Sequence, residues 1–388
     1  MDSPLVWAEV DLEAIAHNVR ELRRITDPGA DLMAVVKANA YGHGAVEVTR
    51  KALENGADSL GVARIEEGIE LRKAGFKESV LIFGYTPPAL ARKLIGFDLT
   101  QTVWSYNTAK ALSDIAVSSN KKIKVHLKVD TGMGRLGLLP DCSRPPATEQ
   151  KSTVNAIREV EAIESLVGLE LEGVYTHFAT ADSSDKTYAG KQFEIFIDFL
   201  NELRRAGINP PLCHAANSAA IIDMSETHLD MVRAGIAIYG LYPSDEVNKH
   251  RIALKPAMTL KSKIVHLKKV PPGFKVSYGS IYQTPKSTTI ASIPIGYGDG
   301  FNRLLSSRGH MLVRGRRAPI VGRVCMDQTM LDVGHIPDVD LEDEVVIFGR
   351  QGDGFITVDE IAASLNTINY EIVSALTARI PIIYPNVS

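Results

Sequence analysis

The sequence predicts an α/β protein in which a (β/α)8 TIM-type barrel is followed by a mostly antiparallel β-strand domain. Two observations lead to this fold class. Short apolar runs alternate with amphipathic helical patterns through the first 250 residues, as in chains that build parallel sheets. Beyond that point the helical pattern fades, and glycine and proline turns separate short strand-like runs. We therefore divide the chain into a barrel, 1–250, and a C-terminal β domain, 251–388.

Eight apolar runs of strand length support the barrel. The run 32–36 is apolar throughout, which is typical of a strand buried on both faces of a parallel sheet. The predicted strands are 32–36, 59–63, 79–83, 99–104, 123–129, 169–177, 211–215 and 230–233. The predicted helices are 12–25, 45–53, 65–73, 87–95, 107–117, 154–167, 188–206 and 218–224. Periodicity alone leaves an open doubly wound sheet as an alternative, because it does not reveal closure.

The second region is predicted to contain one helix, 358–365, among short strands. The predicted strands are 258–270, 288–295, 311–314, 320–325, 329–333 and 344–348. In the barrel region, the segment 140–153 is polar, rich in proline and aperiodic. We interpret it as a surface insertion without a chemical role.

Composition excludes several classes of function. The 388 residues are 45% hydrophobic and 23% charged, as in an average globular protein. A formal charge of −3 provides no basic field for nucleic acid or a membrane surface. The N-terminus has no apolar signal core, no run has membrane-spanning length, and the three cysteines are scattered without metal-ligand spacing. We expect a cytoplasmic protein without a metal site, whose partners are small molecules or other protein chains.

Chemically active residues are predicted at one end of the barrel, because functional groups collect at the carboxyl ends of its strands. Lys37 follows the first predicted strand, and burial there would give it the lowered pKa that Schiff-base chemistry needs. Surface charge would scatter over both ends of the sheet, so the clustering indicates one site. The other residues at these strand ends are Tyr41, Lys128, Arg135, His177, His214, Asn217, Ser218, Arg233, Gly235 and Ile236.

The last two predicted barrel strands suggest a phosphate site. Ser218 begins a short helix after the seventh strand, and the backbone of Gly235 and Ile236 follows the eighth. Barrels commonly bind phosphate at this position through unpaired N–H groups. A phosphorylated ligand beside a reactive lysine suggests pyridoxal phosphate. From the residues alone, a phosphosugar aldolase barrel that also uses a lysine remains an alternative.

Nine segments of the chain resemble the bacterial alanine racemase family, nearly end to end and in the family's order. They read AVVKANAYGHG, KVDTGMGRLG, THFATAD, HAANSAA, VRAGIAIYGLYPS, VSYGSIY, IPIGYGDG, GRVCMDQ and INYEIVSALTARIPIIY. The lysine segment has relatives in other barrel proteins that bind pyridoxal phosphate. The pair VSYGSIY and GRVCMDQ is specific to the racemases.

This resemblance implies an enzyme that interconverts L- and D-alanine with pyridoxal phosphate, as a homodimer with shared active sites. Lys37 would carry the cofactor and act as one acid/base group, and Tyr278 of the partner subunit would be the other. The implied cofactor contacts are Lys37, Tyr41, Arg135, His177, Asn217, Ser218, Arg233, Gly235, Ile236 and Tyr370. The implied substrate contacts are Arg135, Tyr297, Cys325, Met326 and Asp327. In the family, the lysine at Lys128 is often carbamylated and supports Arg135.

The chemistry explains why two bases are needed. Racemisation removes the α-proton from one face of the amino acid and returns one to the other, so bases on opposite faces make inversion natural. A free phenol has a pKa of about 10, and the resemblance suggests that His177, backed by Arg233, assists Tyr278. Each residue also has a purely structural alternative. Tyr278 and Tyr282 are ordinary strand aromatics in that case, His177 is a core histidine, Arg233 pairs with Asp230, and Tyr370 anchors a helix.

Two other functions are compatible with parts of the sequence. An amino-acid decarboxylase of the same two-domain plan predicts an acidic partner for the pyridine nitrogen, where this chain has Arg233. A non-enzymatic barrel that carries the cofactor would end near residue 250. We therefore favour an alanine racemase that supplies D-alanine for peptidoglycan, with Tyr297 and Tyr370 limiting the substrate to a small side chain.

Overall fold

The computed structural model describes residues 4–140 and 156–385, and its chain divides into two compact units. One unit, called the barrel unit below, spans Ala14–Ala40 and Ala45–Lys255. The other, called the sheet unit, combines the residues up to Glu13, the segment Tyr41–Gly44 and the chain from Pro256 onward. The predicted insertion 140–153 lies, apart from its first residue, outside the described residues.

Eight parallel strands form a single sheet in the barrel unit. They are Asp31–Val35, Ser59–Val62, Val80–Ile82, Thr100–Val103, Ile123–Lys128, Leu169–Tyr175, Leu212–His214 and Met231–Ala234. Each strand pairs with the next along the chain as far as the seventh, and the eighth pairs with the first. Backbone hydrogen bonds from Asp230 to Cys213 (3.1 Å) and from Arg233 to Ala216 (3.0 Å) join the seventh and eighth strands. The sheet therefore closes, which confirms the predicted (β/α)8 barrel and excludes the open sheet.

The helices that accompany these strands have one apolar face. In Thr187–Arg205, the buried residues include Phe196, Leu200 and Leu203, at the three- and four-residue spacing of a helix that packs against a sheet. The helices of residues 12–223 are Leu12–Ile25, Ala45–Glu54, Ile65–Lys73, Ala91–Gly96, Tyr106–Ser118, Ala156–Glu164, Thr187–Arg205 and Ser218–Asp223. Short 3₁₀ turns occur at Pro88–Leu90, Ser225–Thr227 and Ile236–Tyr239.

The sheet unit is mostly antiparallel, as predicted. Its strands are Val6–Val10, Met258–Lys263, His266–Val270, Lys275–Val276, Tyr282–Gln283, Thr288–Ile293, His310–Val313, Arg316–Pro319, Thr329–Asp332, Glu344–Gln351, Gly354–Ile356 and Ile382–Ile383. They form a seven-stranded sheet, a three-stranded sheet and a two-stranded hairpin. Two helices, Val358–Leu365 and Asn369–Ser374, follow the strands, and 3₁₀ turns lie at Tyr278–Ser280, Tyr297–Asp299 and Arg303–Leu305.

Several details of the sheet unit differ from the sequence prediction. The N-terminal strand Val6–Val10 pairs with Met258–Lys263, a long-range pairing that local patterns do not reveal. The predicted strand 258–270 is two strands that belong to different sheets. The predicted strand 320–325 is wrong, because Gly322 adopts φ +74° and only Ile320 makes a bridge, to Leu331.

Candidate active site

The first barrel strand leads directly to Lys37. The lysine is partly buried, and burial lowers the pKa of its amine, assisted by the positive charge of Arg135 and opposed by Glu67. A lowered pKa increases the fraction of neutral amine, which is the form that reacts as a nucleophile or a base. The structure thus gives Lys37 the property that the sequence predicted for it.

The turn after Lys37 is left-handed. The four residues from Ala38 to Tyr41 all have φ of 52° or 53°, a region that L-residues rarely occupy consecutively. Glu67 holds the start of the turn, because its carboxylate accepts hydrogen bonds from the N–H groups of Ala38 (2.6 Å), Ala63 (2.7 Å) and Arg64 (2.9 Å). Asn39 closes the turn by accepting from Ala45 N–H at 2.8 Å. The strained backbone fixes the direction in which Lys37 leaves the strand.

A second lysine ends the fifth barrel strand. Burial lowers the pKa of Lys128 to about 7, with further lowering from Arg135 and Arg233. Its amine lies 5.4 Å from the ring centre of Tyr175, a favourable cation–π position. The next loop folds around Asp130, whose carboxylate accepts from Gly132 N–H at 3.0 Å and from Arg135 N–H at 3.2 Å. This carboxylate positions the backbone from which Arg135 extends.

Arg233, on the eighth strand, is the centre of a buried hydrogen-bond network. One terminal nitrogen donates to His214 Nδ1 at 2.7 Å. The other donates to the carbonyls of Thr176 (2.8 Å) and Ala215 (2.9 Å) and to His177 Nδ1 at 3.3 Å. The structural alternative of an Arg233–Asp230 pair is not what the structure shows, since Asp230 instead accepts from Cys213 N–H at 2.7 Å. Burial lowers the pKa of Arg233 to about 10, so it remains charged near neutral pH.

The guanidinium determines the tautomers of the histidines around it. Arginine can only donate, so Nδ1 of both His214 and His177 must accept, and the proton of each neutral ring is on Nε2. His214 Nε2 then donates to Nδ1 of His126, 2.9 Å away. Burial, together with the charge of Arg233, lowers the pKa of His126 to about 3 and the pKa of His177 and His214 well below the usual value. All three rings are therefore neutral donors and acceptors.

Ser218 and the end of the eighth strand meet in the same unit. The Ser218 hydroxyl accepts from Gly235 N–H at 2.8 Å, and both residues are buried. Ile236 begins the 3₁₀ turn Ile236–Tyr239. Asn217 caps the helix Ser218–Asp223 by accepting from Ala220 N–H at 3.1 Å. The structure thus brings together the predicted phosphate contacts of the barrel unit.

The remaining predicted site residues lie in the sheet unit. Tyr278 is 72% exposed and lies in a 3₁₀ turn rather than a strand, so it is not a core aromatic. Tyr297 N–H donates to the carbonyl of Cys325 at 3.0 Å, beside the 53% exposed Met326. Asp327 pairs with Arg379 at 2.8 Å. Tyr278, Tyr297, Met326 and Asp327 are therefore exposed residues in turns and loops of the sheet unit.

Tyr41 and Tyr370 form a separate pair within the sheet unit. Their ring centres are 6.1 Å apart, within the range of favourable aromatic contacts. The Tyr41–Gly44 segment packs closely there, because a β-carbon at Gly42 would lie 2.3 Å from the carbonyl oxygen of Val373. Burial raises the pKa of the Tyr41 phenol, so it remains a neutral hydrogen-bonding group at neutral pH.

Three contributors were missed by the sequence analysis, namely His126, Tyr175 and Glu67. His126 precedes Lys128 by two residues on the strand Ile123–Lys128, so the alternation of strand faces places both on the same side. The two-residue spacing from Lys128 could therefore have indicated that His126 faces the site. The stacking of Tyr175 on His214, with ring centres 4.7 Å apart, gave no local signal. Glu67 lies within a helix, where a carboxylate usually faces solvent.

No helix among residues 4–140 and 156–385 combines the length and apolar character needed to cross a membrane. Within the same residues, no group of three or more histidine, cysteine or acidic side chains is arranged to hold a metal ion.

The fold and the grouped side chains define a class of protein before any comparison. A partly buried amine of lowered pKa lies on a closed barrel, beside arginines suited to anions and histidines held neutral. Such a combination is typical of barrel enzymes that use a lysine as nucleophile or base on a negatively charged substrate.

Comparisons with known proteins identify the family. The profile of the alanine racemase N-terminal domain matches residues 10–243, and that of the C-terminal domain matches residues 257–384. The chain is 55% identical to alanine racemase from Desulfosudis oleivorans, over 98% of this chain and 96% of the relative. It is 51% identical to that from Methanococcus maripaludis, over 99% and 100%. The crystal structure of alanine racemase from Bacillus anthracis with bound L-Ala-P is 37% identical, with a TM-score of 0.92, over 100% of this chain and 96% of that chain.

The chain therefore belongs to the alanine racemase family. It is an enzyme of the isomerase class, and its reaction is the racemisation of alanine. The decarboxylase, aldolase and non-enzymatic alternatives are thereby set aside.

Proposed function

We propose that the chain racemises alanine by a two-base mechanism in a homodimer. Nζ of Lys37 would exchange the α-proton on one face of the substrate. The phenolic oxygen of Tyr278 from a second copy would exchange it on the other face. Two features support this division of labour, namely the lowered pKa of the Lys37 amine and the high exposure of Tyr278 on a single chain.

Pyridoxal phosphate fits the residues that are present. Among the described residues, the hydrogen bonds of Arg233 use its two terminal nitrogens, so its Nε–H remains for an acceptor such as the pyridine nitrogen. When bound, the cofactor supplies an electron sink that acidifies the α-proton of the amino acid. The residues proposed to hold it are Lys37, Arg135, His177, Asn217 and Arg233, with Tyr41, Ser218, Gly235, Ile236 and Tyr370 around the phosphate.

Arg233 would limit side reactions. A guanidinium donates and keeps its own proton near neutral pH, so a ring nitrogen bound to it stays unprotonated. An unprotonated ring is a weaker electron sink than a protonated one. The α-carbon would therefore stay deprotonated only briefly, and transamination of the cofactor would be restrained.

His177 would assist Tyr278. Its Nδ1 accepts from Arg233, so Nε2 carries a proton that can be donated to the phenolic oxygen of the partner subunit. A hydrogen bond to the charged form of a group favours that form. The phenol would then release its proton at a lower pH than free tyrosine, as a base near neutrality requires.

Arg135 would bind the carboxylate of alanine, and Lys128 would support it. With its pKa lowered to about 7, the Lys128 amine is substantially neutral at physiological pH. A neutral amine can add carbon dioxide, forming an N–C bond and releasing one proton, which leaves a negatively charged carbamate. A carbamate at this position would attract the neighbouring guanidinium of Arg135.

The sheet unit would complete the substrate site of the partner subunit. Met326 would contact the substrate carboxylate through its backbone, with Cys325 and Asp327 beside it, and Tyr297 would limit the space for the side chain. We expect alanine to react best and serine weakly, because one added hydroxyl changes binding by only a few kcal/mol. The product D-alanine would supply cell-wall peptidoglycan.

The observation that carries this proposal is the Lys37 amine of lowered pKa on the barrel. The direct experiment incubates the holoenzyme with L-alanine in deuterated water and follows optical rotation together with α-proton loss. Rotation should vanish as deuterium enters the α-position, and borohydride should fix the cofactor to Lys37. Release of carbon dioxide, or cofactor recovered on another lysine, would contradict the proposal.

A further inference from the structure

The turn that presents Tyr278 has strained backbone on both sides of the tyrosine. Ser277 adopts φ 64° and ψ −176°, a conformation that is nearly restricted to glycine and is strained for other residues. Gly279 and Ser280 follow with φ of 71° and 49°. Strain of this kind persists only where neighbouring contacts hold it.

The Ser277 side chain supplies such a contact. Its hydroxyl donates to the carbonyl of Arg323 at 2.7 Å and lies 3.4 Å from the Cys325 sulfur. The facing chain is close, because a β-carbon at Gly322 would lie 2.7 Å from the carbonyl oxygen of Val276. The serine therefore attaches the Tyr278 turn to the segment Gly322–Cys325.

This segment leads directly to Met326 and bonds to the Tyr297 turn, so it connects to the other site residues of the sheet unit. The carbonyl of Cys325 accepts from Tyr297 N–H at 3.0 Å, and that of Met326 accepts from Gly298 N–H at 2.9 Å. The hairpin that flanks Tyr278 pairs Lys275–Val276 with Tyr282–Gln283, and its strands are anchored by the packing of Val276 and Tyr282 in a hydrophobic cluster. These contacts hold the strands of the hairpin, whereas the Ser277 hydroxyl holds the turn between them. The hydroxyl of Ser277 is thus a side-chain link between the Tyr278 turn and the Tyr297–Met326 group.

We propose that Ser277 is a positioning residue for the reaction. Its hydroxyl holds the strained backbone that aims the Tyr278 phenol, and it fixes that phenol relative to Met326. This inference rests on the proposed role of Tyr278 as a base. Without the hydroxyl, the backbone at residue 277 relaxes and the phenol loses its alignment, whereas Lys37 in the barrel unit is unaffected. Proton transfer should therefore slow on one face of the substrate only.

The test uses the Ser277→Ala holoenzyme and measures α-proton exchange of L-alanine and of D-alanine separately in deuterated water. Racemisation rates alone do not suffice, because enantiomers have equal free energy and kcat/KM must be the same in both directions. We expect exchange of the enantiomer that faces the phenol to fall about tenfold, as small misalignments do. Exchange of the other enantiomer should stay within about twofold. The same fold-change in exchange for both enantiomers relative to wild type, or no change in either, would overturn the role of Ser277.

Three further variants complete the design. Tyr278→Phe shows which enantiomer faces the phenol, and if both exchange rates survive in it, the two-base proposal itself fails. Ser277→Gly removes the strain and the hydroxyl together, so it should show the same one-sided loss, and wild-type behaviour would overturn the inference. Ser262→Ala is the matched control, because it removes a buried serine-to-carbonyl bond, to Leu5 at 2.8 Å, in the same unit. It should lower stability without any difference between enantiomers.

Discussion

The barrel unit and the sheet unit prepare their functional side chains in opposite ways. In the barrel unit, Lys128 and Arg233 are each only 4% exposed, and burial changes their pKa values. In the sheet unit, Tyr278 is 72% exposed and is held by the backbone that leads to it. The barrel unit changes the pKa values of its functional side chains, and the sheet unit sets the direction of Tyr278.

This difference shows what each kind of site requires. Desolvation acts on charge only where water is excluded, so a lysine whose pKa is lowered to near neutrality by burial lies inside a core or at its edge. On a single chain the Tyr278 phenol is exposed to water. The environment of this phenol must come from the surface that covers it, and the sheet unit contributes the direction in which the side chain points. The division suits the proposed reaction, in which the second base comes from a neighbouring copy.

The largest effect on activity is expected when one chain lacks Lys37 of the barrel unit or Tyr278 of the sheet unit. Lys37→Ala and Tyr278→Phe proteins should each lose racemisation by roughly 10³-fold or more, since each lacks one proton-transfer group. When the two are mixed under subunit exchange, half of the dimers are mixed, and each of these has one intact site. About a quarter of wild-type activity should return. Mixed dimers without activity would show that both groups act within one chain.

A smaller effect is expected when the donor at the centre of the barrel network is replaced. Arg233→Gln should slow racemisation by about 10²-fold, because the charge and the fork of donors that orients His177 and His214 are both lost. Arg233→Lys retains the charge only, so it should restore a minor part of the rate. The measurement is the kcat for each variant together with transamination of the cofactor, which should rise in Arg233→Gln. An Arg233→Lys enzyme with wild-type behaviour would contradict the role of the fork.

A third test concerns His126, which lies at the far end of the same network. His126→Phe removes the acceptor of the His214 Nε2 proton in a buried site, and it should lower the free energy of unfolding by about 1–3 kcal/mol. His126→Gln is the control, because its carbonyl oxygen can still accept, and it should be milder. Denaturant unfolding of the two variants measures the difference. Equal losses would mean that volume, rather than the hydrogen bond, matters at this position.

The stability of the protein should depend on pH through Lys128, a buried group of the barrel unit. The pKa of Lys128 is about 7 in the folded protein and about 10.4 in an unfolded chain. Between these values the unfolded state binds more protons, so stability rises with pH across that window. Lys128→Met should stabilise the protein near pH 7 by up to about 4 kcal/mol, and the gain should shrink towards pH 10. Unfolding free energies in buffers free of carbon dioxide measure this, and parallel pH curves would contradict it.

Much of the architecture could be predicted because its signals are local. The eight barrel strands and the helix Val358–Leu365 follow from runs and periods of hydrophobic residues. The clustering of Lys37, His177 and Arg233 follows from geometry, since the carboxyl ends of parallel strands share one edge. The motifs that resemble the alanine racemase family then supplied the reaction, and the comparisons confirmed the family.

Other features had no such signal. The pairing of Val6–Val10 with Met258–Lys263 joins distant parts of the chain, and a short isolated strand does not indicate its partner. The strained conformation of Ser277 depends on contacts with a segment more than forty residues away, through Arg323 and Cys325. No local sequence pattern around Arg323 or Cys325 indicates their contact with Ser277.

By itself, the sequence determined the order of the elements and the kinds of chemical group at the strand ends, since both depend on residue type and spacing. Only the tertiary structure decided the protonation states and directions of those groups. The pKa of Lys128, the tautomers of His126 and His214, and the backbone at Ser277 all follow from which neighbours exclude water or form hydrogen bonds. Those neighbours come from strands and loops far apart in the chain, and folding alone brings them together.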